Sequence, residues 1–120
     1  MFKRSFLKKL IGEQGEKKAE KYLVDKGYKI VERNMRTPLG EIDIIAYSGA
    51  VLVFIEVKMR SSERFGMGLE AVTKSKQHKL IRTARYYCKM KNIMPMCRFD
   101  IISIDAGQIT HLENAFVCGV

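Results

Sequence analysis

Proline occurs only twice in this chain, cysteine only three times, and no apolar run approaches the ~20 residues that a membrane-crossing helix needs. Few prolines together with 47% hydrophobic residues argue against a disordered chain and for a globular one. The cysteines, Cys88, Cys97 and Cys118, are odd in number and lack Cys-x-x-Cys spacing, which speaks against both a disulfide framework and a zinc site. Met1 to Ile11 begins basic but contains no apolar stretch long enough for a signal peptide, so a reducing cytoplasm is the expected location. Acids are scarce as well: 13 Asp and Glu stand against 22 Lys and Arg, a net charge of +9. Such a surface attracts polyanions, which makes nucleic acid or an anionic membrane surface the first partner to consider. The 120 residues suffice for a single domain, 1–120, with a buried core.

The most informative stretch is Gly40–Tyr47, a break at Ser48-Gly49, and Val51–Arg60. β-branched and aromatic residues fill both runs, and Ser-Gly is turn chemistry, so the stretch reads as a hairpin. With Ser48-Gly49 as the turn, Ile45 falls opposite Leu52, Asp43 opposite Phe54 and Glu41 opposite Glu56. Alternation then places Ile42, Ile44, Ala46, Val51, Val53, Ile55 and Val57 on one wholly apolar face. The other face is apolar near the turn and carries Glu41, Asp43, Glu56, Lys58 and Arg60 at its open end. A solvated face scatters its charges along the strands. Carboxylates gathered within cross-strand reach repel unless a cation lies between them.

The flanking segments supply further charge. Residues 2–11 continue into an opening helix from about Gly12 to Lys26, with Ile11, Gly15, Ala19, Tyr22 and Leu23 as its stripe and Gly27 as its cap. Glu16 borders that stripe and, read by itself, is a surface glutamate with a packed stem. Tyr28–Arg36 reads as a strand that delivers Arg33 and Arg36 near the charged end, either to bind phosphate or to balance Glu41 and its neighbours. Ser61–Gly68 reads as a loop. Thr73 then caps a helix to about Met90 with the stripe Leu80, Ile81, Ala84, Tyr87 and Cys88. Its remaining face bears Lys74, Lys76, Lys79, Arg82, Arg85, Lys89 and Lys91, and no acid. Soluble helices gain from mixing charges, so a helix of one sign points to a polyanion as its missing partner. Arg98–Asp105 is a further strand, Ala106-Gly107 a turn, and Gln108–Leu112 with Ala115–Val117 a last strand and its extension. Asp100, inside an apolar strand, is expected to pair with Arg98 or a helix lysine. His78 and His111 have no identifiable partner.

Asp43 and Glu56 form a set of hard oxygen ligands suited to Mg²⁺ or Mn²⁺. A bound metal acidifies water and offsets charge on a phosphate under attack. Lys58 shares the face of Glu56, with Val57 turned into the core between them, and could orient water or stabilise developing negative charge.

Beyond these patterns, the chain resembles a known family. Gly12, Gly15-Glu16, Ala19, Tyr22-Leu23, Gly27-Tyr28, Arg33-Asn34, Arg36, Gly40–Ala46, Phe54–Lys58, Arg60, Ala71-Val72, Lys76 and Arg98-Phe99-Asp100 resemble the YraN (UPF0102) family of predicted bacterial endonucleases. The resemblance covers roughly residues 12–105. It implies an α/β, restriction-endonuclease-like fold, a mixed central β-sheet flanked by helices, and similarity to archaeal Holliday junction resolvases. It also implies that Glu16, Asp43, Glu56 and Lys58 form the acid and lysine set of the PD-(D/E)xK superfamily, with Ile42 where the superfamily name has proline. Glu16 thereby changes from a surface residue to one at or beside the metal. The expected activity is Mg²⁺-dependent endonucleolytic cleavage of DNA, branched or single-stranded substrates included, with Arg33, Arg36, Arg60, Lys74, Lys76, Lys79 and Arg82 on phosphates. A homodimer follows only by analogy with resolvases. The alternative is a nucleic-acid-binding module that keeps the nuclease fold without cleaving.

Overall fold

The computed structural model describes residues 4–60 and 72–116, with side chains from residue 12 to 59 and from 72 to 116. Its elements run α1 (Arg4–Asp25), β1 (Lys29–Thr37), β2 (Gly40–Ser48), β3 (Val51–Arg60), α2 (Lys74–Lys91), β4 (Met96–Asp105) and β5 (Gln108–Phe116). The loop expected at Ser61–Gly68 lies outside the described residues. Residues 4–11 are the first turns of one continuous opening helix rather than a separate arm. Gly27 ends it with φ +96°: its N–H reaches the carbonyl of Val24, and that of Tyr28 reaches Leu23. This pair of bonds is the Schellman pattern, and only glycine adopts that backbone freely.

The strands form one mixed sheet in the order β1-β2-β3-β4-β5. Only β3 and β4 are parallel, because only they are joined across a helix; the other neighbours are antiparallel hairpins. The α/β architecture, an open mixed sheet with a helix on each face, is the expected one and is compatible with the restriction-endonuclease-like fold. Under α1, Ala19, Leu23 and Tyr28 pack on Ile44, Ala46, Val53, Ile55, Ile102 and Ile104. Under α2, Leu80, Ile81, Ala84 and Tyr87 pack on Met35, Ile42, Ile45, Leu52, Phe54 and Phe99. Thr73 caps α2 by accepting the N–H of Lys76 at 3.3 Å. The helix stops at Asn92, whose left-handed backbone (φ +54°) ends it before Pro95.

Two expectations about the hairpin need correction. The register is shifted by two residues: Ser48 pairs with Val51, Tyr47 with Leu52, Ile45 with Phe54 and Ile44 with Ile55. The turn is therefore Gly49-Ala50, with glycine at the first central position and φ +60°, the type II′ pattern that suits the twist of the strands. Asp43 then stands one step beyond the last pair, at Glu56, rather than opposite Phe54. Glu41 is not opposite Glu56. A shift of two preserves the faces, so most side chains sort as expected.

The second correction is Ile42. It packs under α2 with Met35, while Ile44 packs under α1. Regular alternation would put Ile42 and Ile44 on the same face. Across from Asp43 lies Asn34, midway between the pairs Arg33–Ile44 and Met35–Ile42, and its backbone is left-handed at φ +48°. The pleat breaks at this step in both strands. Asp43 is released from strict alternation, at the edge of both faces.

Candidate active site

The break in the pleat decides where Asp43 points. One of its carboxylate oxygens accepts the backbone N–H of Val57 at 2.8 Å, which fixes the end of β2 against β3 without an ordinary ladder pair. Asp43 lines two clefts at once. On the α2 side, a cleft of about 220 Å³ is bounded by Glu41, Asp43, Glu56, Lys58, Lys76 and Lys79. On the α1 side, one of about 280 Å³ is bounded by Glu13, Glu16, Lys17, Glu20, Arg33, Asn34 and Asp43.

Two close approaches of backbone hold these walls in place. Gly40, at the start of β2, has φ +153°, and a Cβ there would lie 2.9 Å from the hydroxyl of buried Thr83 on α2. The missing side chain brings the Lys79 turn of α2 onto the strand that carries Glu41 and Asp43. Gly15 in α1 faces Met59 of β3, where a Cβ would meet the thioether sulfur at 2.8 Å. That contact sets the next residue, Glu16, beside Asp43.

The electrostatics follow from this crowding. Glu56 is largely removed from water, and burial is the main reason its carboxyl is pushed up to about 9. A hydrogen bond to Asp43 and the negative charge of Asp43 raise it further, against the opposing pull of Lys58 and Lys76. At neutral pH Glu56 therefore keeps its proton and turns it toward Asp43. Burial also raises the Glu16 carboxyl, followed by the charge of Asp43, while a hydrogen bond with Asn34 opposes the rise. Both neighbours of Asp43 thus sense it as a nearby negative charge, one from each cleft.

The site residues named from sequence divide clearly by position. Asp43, Glu56, Lys58, Lys76 and Lys79 are brought together in one cleft, and Glu16 approaches Asp43 from the other. Arg33 is held in a two-pronged ion pair with Glu20 of α1, its Nε donating at 2.7 Å. Arg36 pairs with Glu41 at 3.3 Å in the open. Lys74 and Arg82 are exposed on α2 and do not line the cleft. At about 100° per residue Lys74 lies roughly 160° around the helix from Lys76, which explains their separation. Arg60 is the last residue of β3, and its side chain lies outside the described ones.

Sequence reasoning gave no role to Asn34, which bonds Glu16 and lies across from Asp43. Its signal was the residue type: asparagine enters the left-handed region more readily than most. Nor did it find a partner for His111, whose Nε2 lies 2.6 Å from buried Asp100. The expected Arg98–Asp100 pair is present at 2.9 Å.

Whether these residues suit a divalent metal can be judged from the donor set. Among the described residues, no three His, Cys, Asp or Glu side chains gather closely enough to hold an ion together. Asp43 and Glu56 meet as a pair, and Glu16 stands off in the neighbouring cleft. Mg²⁺ is satisfied by one or two carboxylates, with waters and substrate phosphate completing its shell. Two half-buried carboxylates in contact, with the Glu56 carboxyl pushed up by burial and by its neighbour, fit that requirement.

Comparison with known proteins decides the family. The model of the uncharacterised protein family UPF0102 matches residues 15–104. The chain belongs to this family. A UPF0102 protein of Thermodesulfovibrio yellowstonii is 51% identical over 106 residues, covering 88% of this chain and 95% of the relative. One of Shewanella loihica is 46% identical, with 88% and 92% covered, and one of Alkaliphilus metalliredigens 44% identical, with 92% and 100% covered. The match with UPF0102 includes Glu16, Asp43, Glu56 and Lys58 within its span. No described helix is long and apolar enough to cross a membrane.

Proposed function

We propose that this UPF0102 protein is a metal-dependent endonuclease that hydrolyses phosphodiester bonds of DNA. The observation that carries the reading is the paired, half-buried carboxylates Asp43 and Glu56 in one cleft with Lys58, faced by Lys76 and Lys79 of an acid-free helix.

In this reading Asp43 and Glu56 hold Mg²⁺ or Mn²⁺. The metal supplies Lewis-acid polarisation of the phosphate and lowers the pKa of water from about 15.7 toward neutrality. Lys58 orients the attacking water or stabilises the charge that develops on the phosphate oxygens. Lys76 and Lys79 draw the scissile phosphate down onto the carboxylates. The Val57 N–H bond keeps Asp43 aimed into the cleft as Glu56 gives up its proton. Glu16 and Asn34 hold the far side of Asp43, so Glu16 positions the site rather than completing the ligand pair. Lys74 and Arg82 extend the basic track along the DNA, and Arg33 and Arg36 contribute where the substrate displaces Glu20 and Glu41.

A second reading, a DNA-binding module without cleavage, is favoured by one observation. Among the described residues the carboxylates meet as a pair, not as a group of three. The two separate in an assay of purified protein with linear duplex, single-stranded, flap and four-way-junction DNA, in Mg²⁺, Mn²⁺ or EDTA. Metal-dependent cleavage that disappears in Asp43→Ala and Lys58→Ala supports the enzyme. Tight binding without cleavage of any substrate leaves the binding module.

A further inference from the structure

At the other end of α2 a cleft of about 530 Å³ opens between the last turns of the helix and the first residues of β4. Ile81, Ala84, Cys88, Ile93, Pro95 and Phe99 give it an apolar lining. The exposed cations Arg85 and Lys89 also line it, and no described acid does. Met94 lines the cleft fully exposed. A concave apolar cleft of this size, rimmed by cations and carrying an unbranched, adaptable methionine at its lip, has the form of a ligand site.

We propose that this cleft docks a short acidic and apolar peptide segment of a partner protein. One or two apolar side chains enter against Ile81, Ala84 and Phe99, and flanking carboxylates meet Lys89 and Arg85. Charge complementarity selects this occupant. A second copy would bring another chain of net charge +9 against the same cations. Single-stranded nucleic acid needs open aromatic faces for its bases. Phe99, the one aromatic among the described lining residues, is only 3% exposed, stacked between Phe54 and Phe116. Lys76 and Cys88 stand twelve positions apart, about 18 Å along the helix at 1.5 Å per residue, so peptide and substrate can be bound together.

The probe is a fluorescein-labelled octapeptide of alternating Glu with Leu and Phe, followed by anisotropy. Controls are the same peptide with Lys for Glu, an all-Glu peptide and a short oligothymidylate. Binding of the first peptide is expected to weaken about 10-fold in Lys89→Glu and in Met94→Glu, both exposed positions that leave the fold intact. Lys29→Glu, the same charge change on β1, is expected to shift it less than about 2-fold. The peptide is also expected to slow alkylation of exposed Cys97, which lines the cleft. Several results would overturn the proposal: no binding, equal binding of the all-Glu peptide, or an equal effect of Lys29→Glu. So would Cys97 protection by the oligonucleotide alone, or a concentration-dependent dimer abolished by Met94→Glu. None of these readouts involves DNA cleavage, so the outcome is independent of the proposed activity.

Discussion

At Glu56, the proposed metal binding and the stability of the fold pull in opposite directions. Its folded pKa, about 9, lies above the ordinary carboxylate value, so the folded state favours the protonated form. Stability from this group is therefore complete below the unfolded pKa and declines as pH rises from about 4.5 toward 9. Glu56→Gln keeps a neutral donor for Asp43 and removes that penalty. The variant is expected to be more stable than the parent by roughly 2 kcal/mol or more at pH 8, and little changed at pH 4, read by urea denaturation. Asp100 behaves in the opposite sense. Burial alone would raise its carboxyl, but hydrogen bonds from His111, Arg98 and the Asn114 N–H outweigh that and hold it below the ordinary value. Its contribution is present above about pH 4 and lost as pH falls through the lower folded pKa. Acid unfolding should begin in that window. Asp100→Asn is expected to cost about 3–5 kcal/mol at pH 7 and to flatten the acid limb of a stability–pH curve.

At the scale of elements, the strand pair β1–β2 and the helix α2 position the candidate site. Gly40 lets α2 lie against β2; Gly40→Ala adds strain at φ +153° and a clash with Thr83. It is expected to lower the melting temperature and to weaken DNA binding together, a coupling that a purely local loss of stability would not produce. Substituting Lys76 and Lys79 with Glu should reduce the slope of log affinity against log salt by about 2, one for each phosphate that is no longer neutralised. An unchanged slope would place the DNA elsewhere. The elements and both cores were legible in the sequence, because 3.6-residue and two-residue periodicities are local and Thr73, Gly27 and Gly107 mark their ends. The register was not. Ser48-Gly49 and Gly49-Ala50 are both acceptable turns by composition, and backbone φ at Gly49 decides between them. Nor was the face of Ile42 legible, since the pleat is broken by Asn34 on the neighbouring strand, out of reach of any pattern within β2.

For the whole molecule, the two helices cover opposite faces of the sheet, and one residue, Asp43, is reached from both. The candidate carboxylates, drawn from α1, β2 and β3, thereby converge at one end of the sheet although they span forty residue positions. The basic helix runs from that end toward the apolar cleft, so the proposed DNA site and the proposed peptide site occupy its two ends. Everything proposed for the acidic cleft rests on Asp43, Glu56 and Lys58 cutting DNA with a divalent metal. The most direct measurement is the single-turnover rate of cleavage of a labelled four-way junction in Mn²⁺, compared between the parent protein and Glu56→Gln, whose fold is expected to be at least as stable. The parent is expected to cleave in a manner that EDTA stops, and the rate to fall at least about 100-fold in the variant with DNA affinity retained. Equal rates in the two proteins, or tight junction binding by the parent with no cleavage at all, would contradict the assignment.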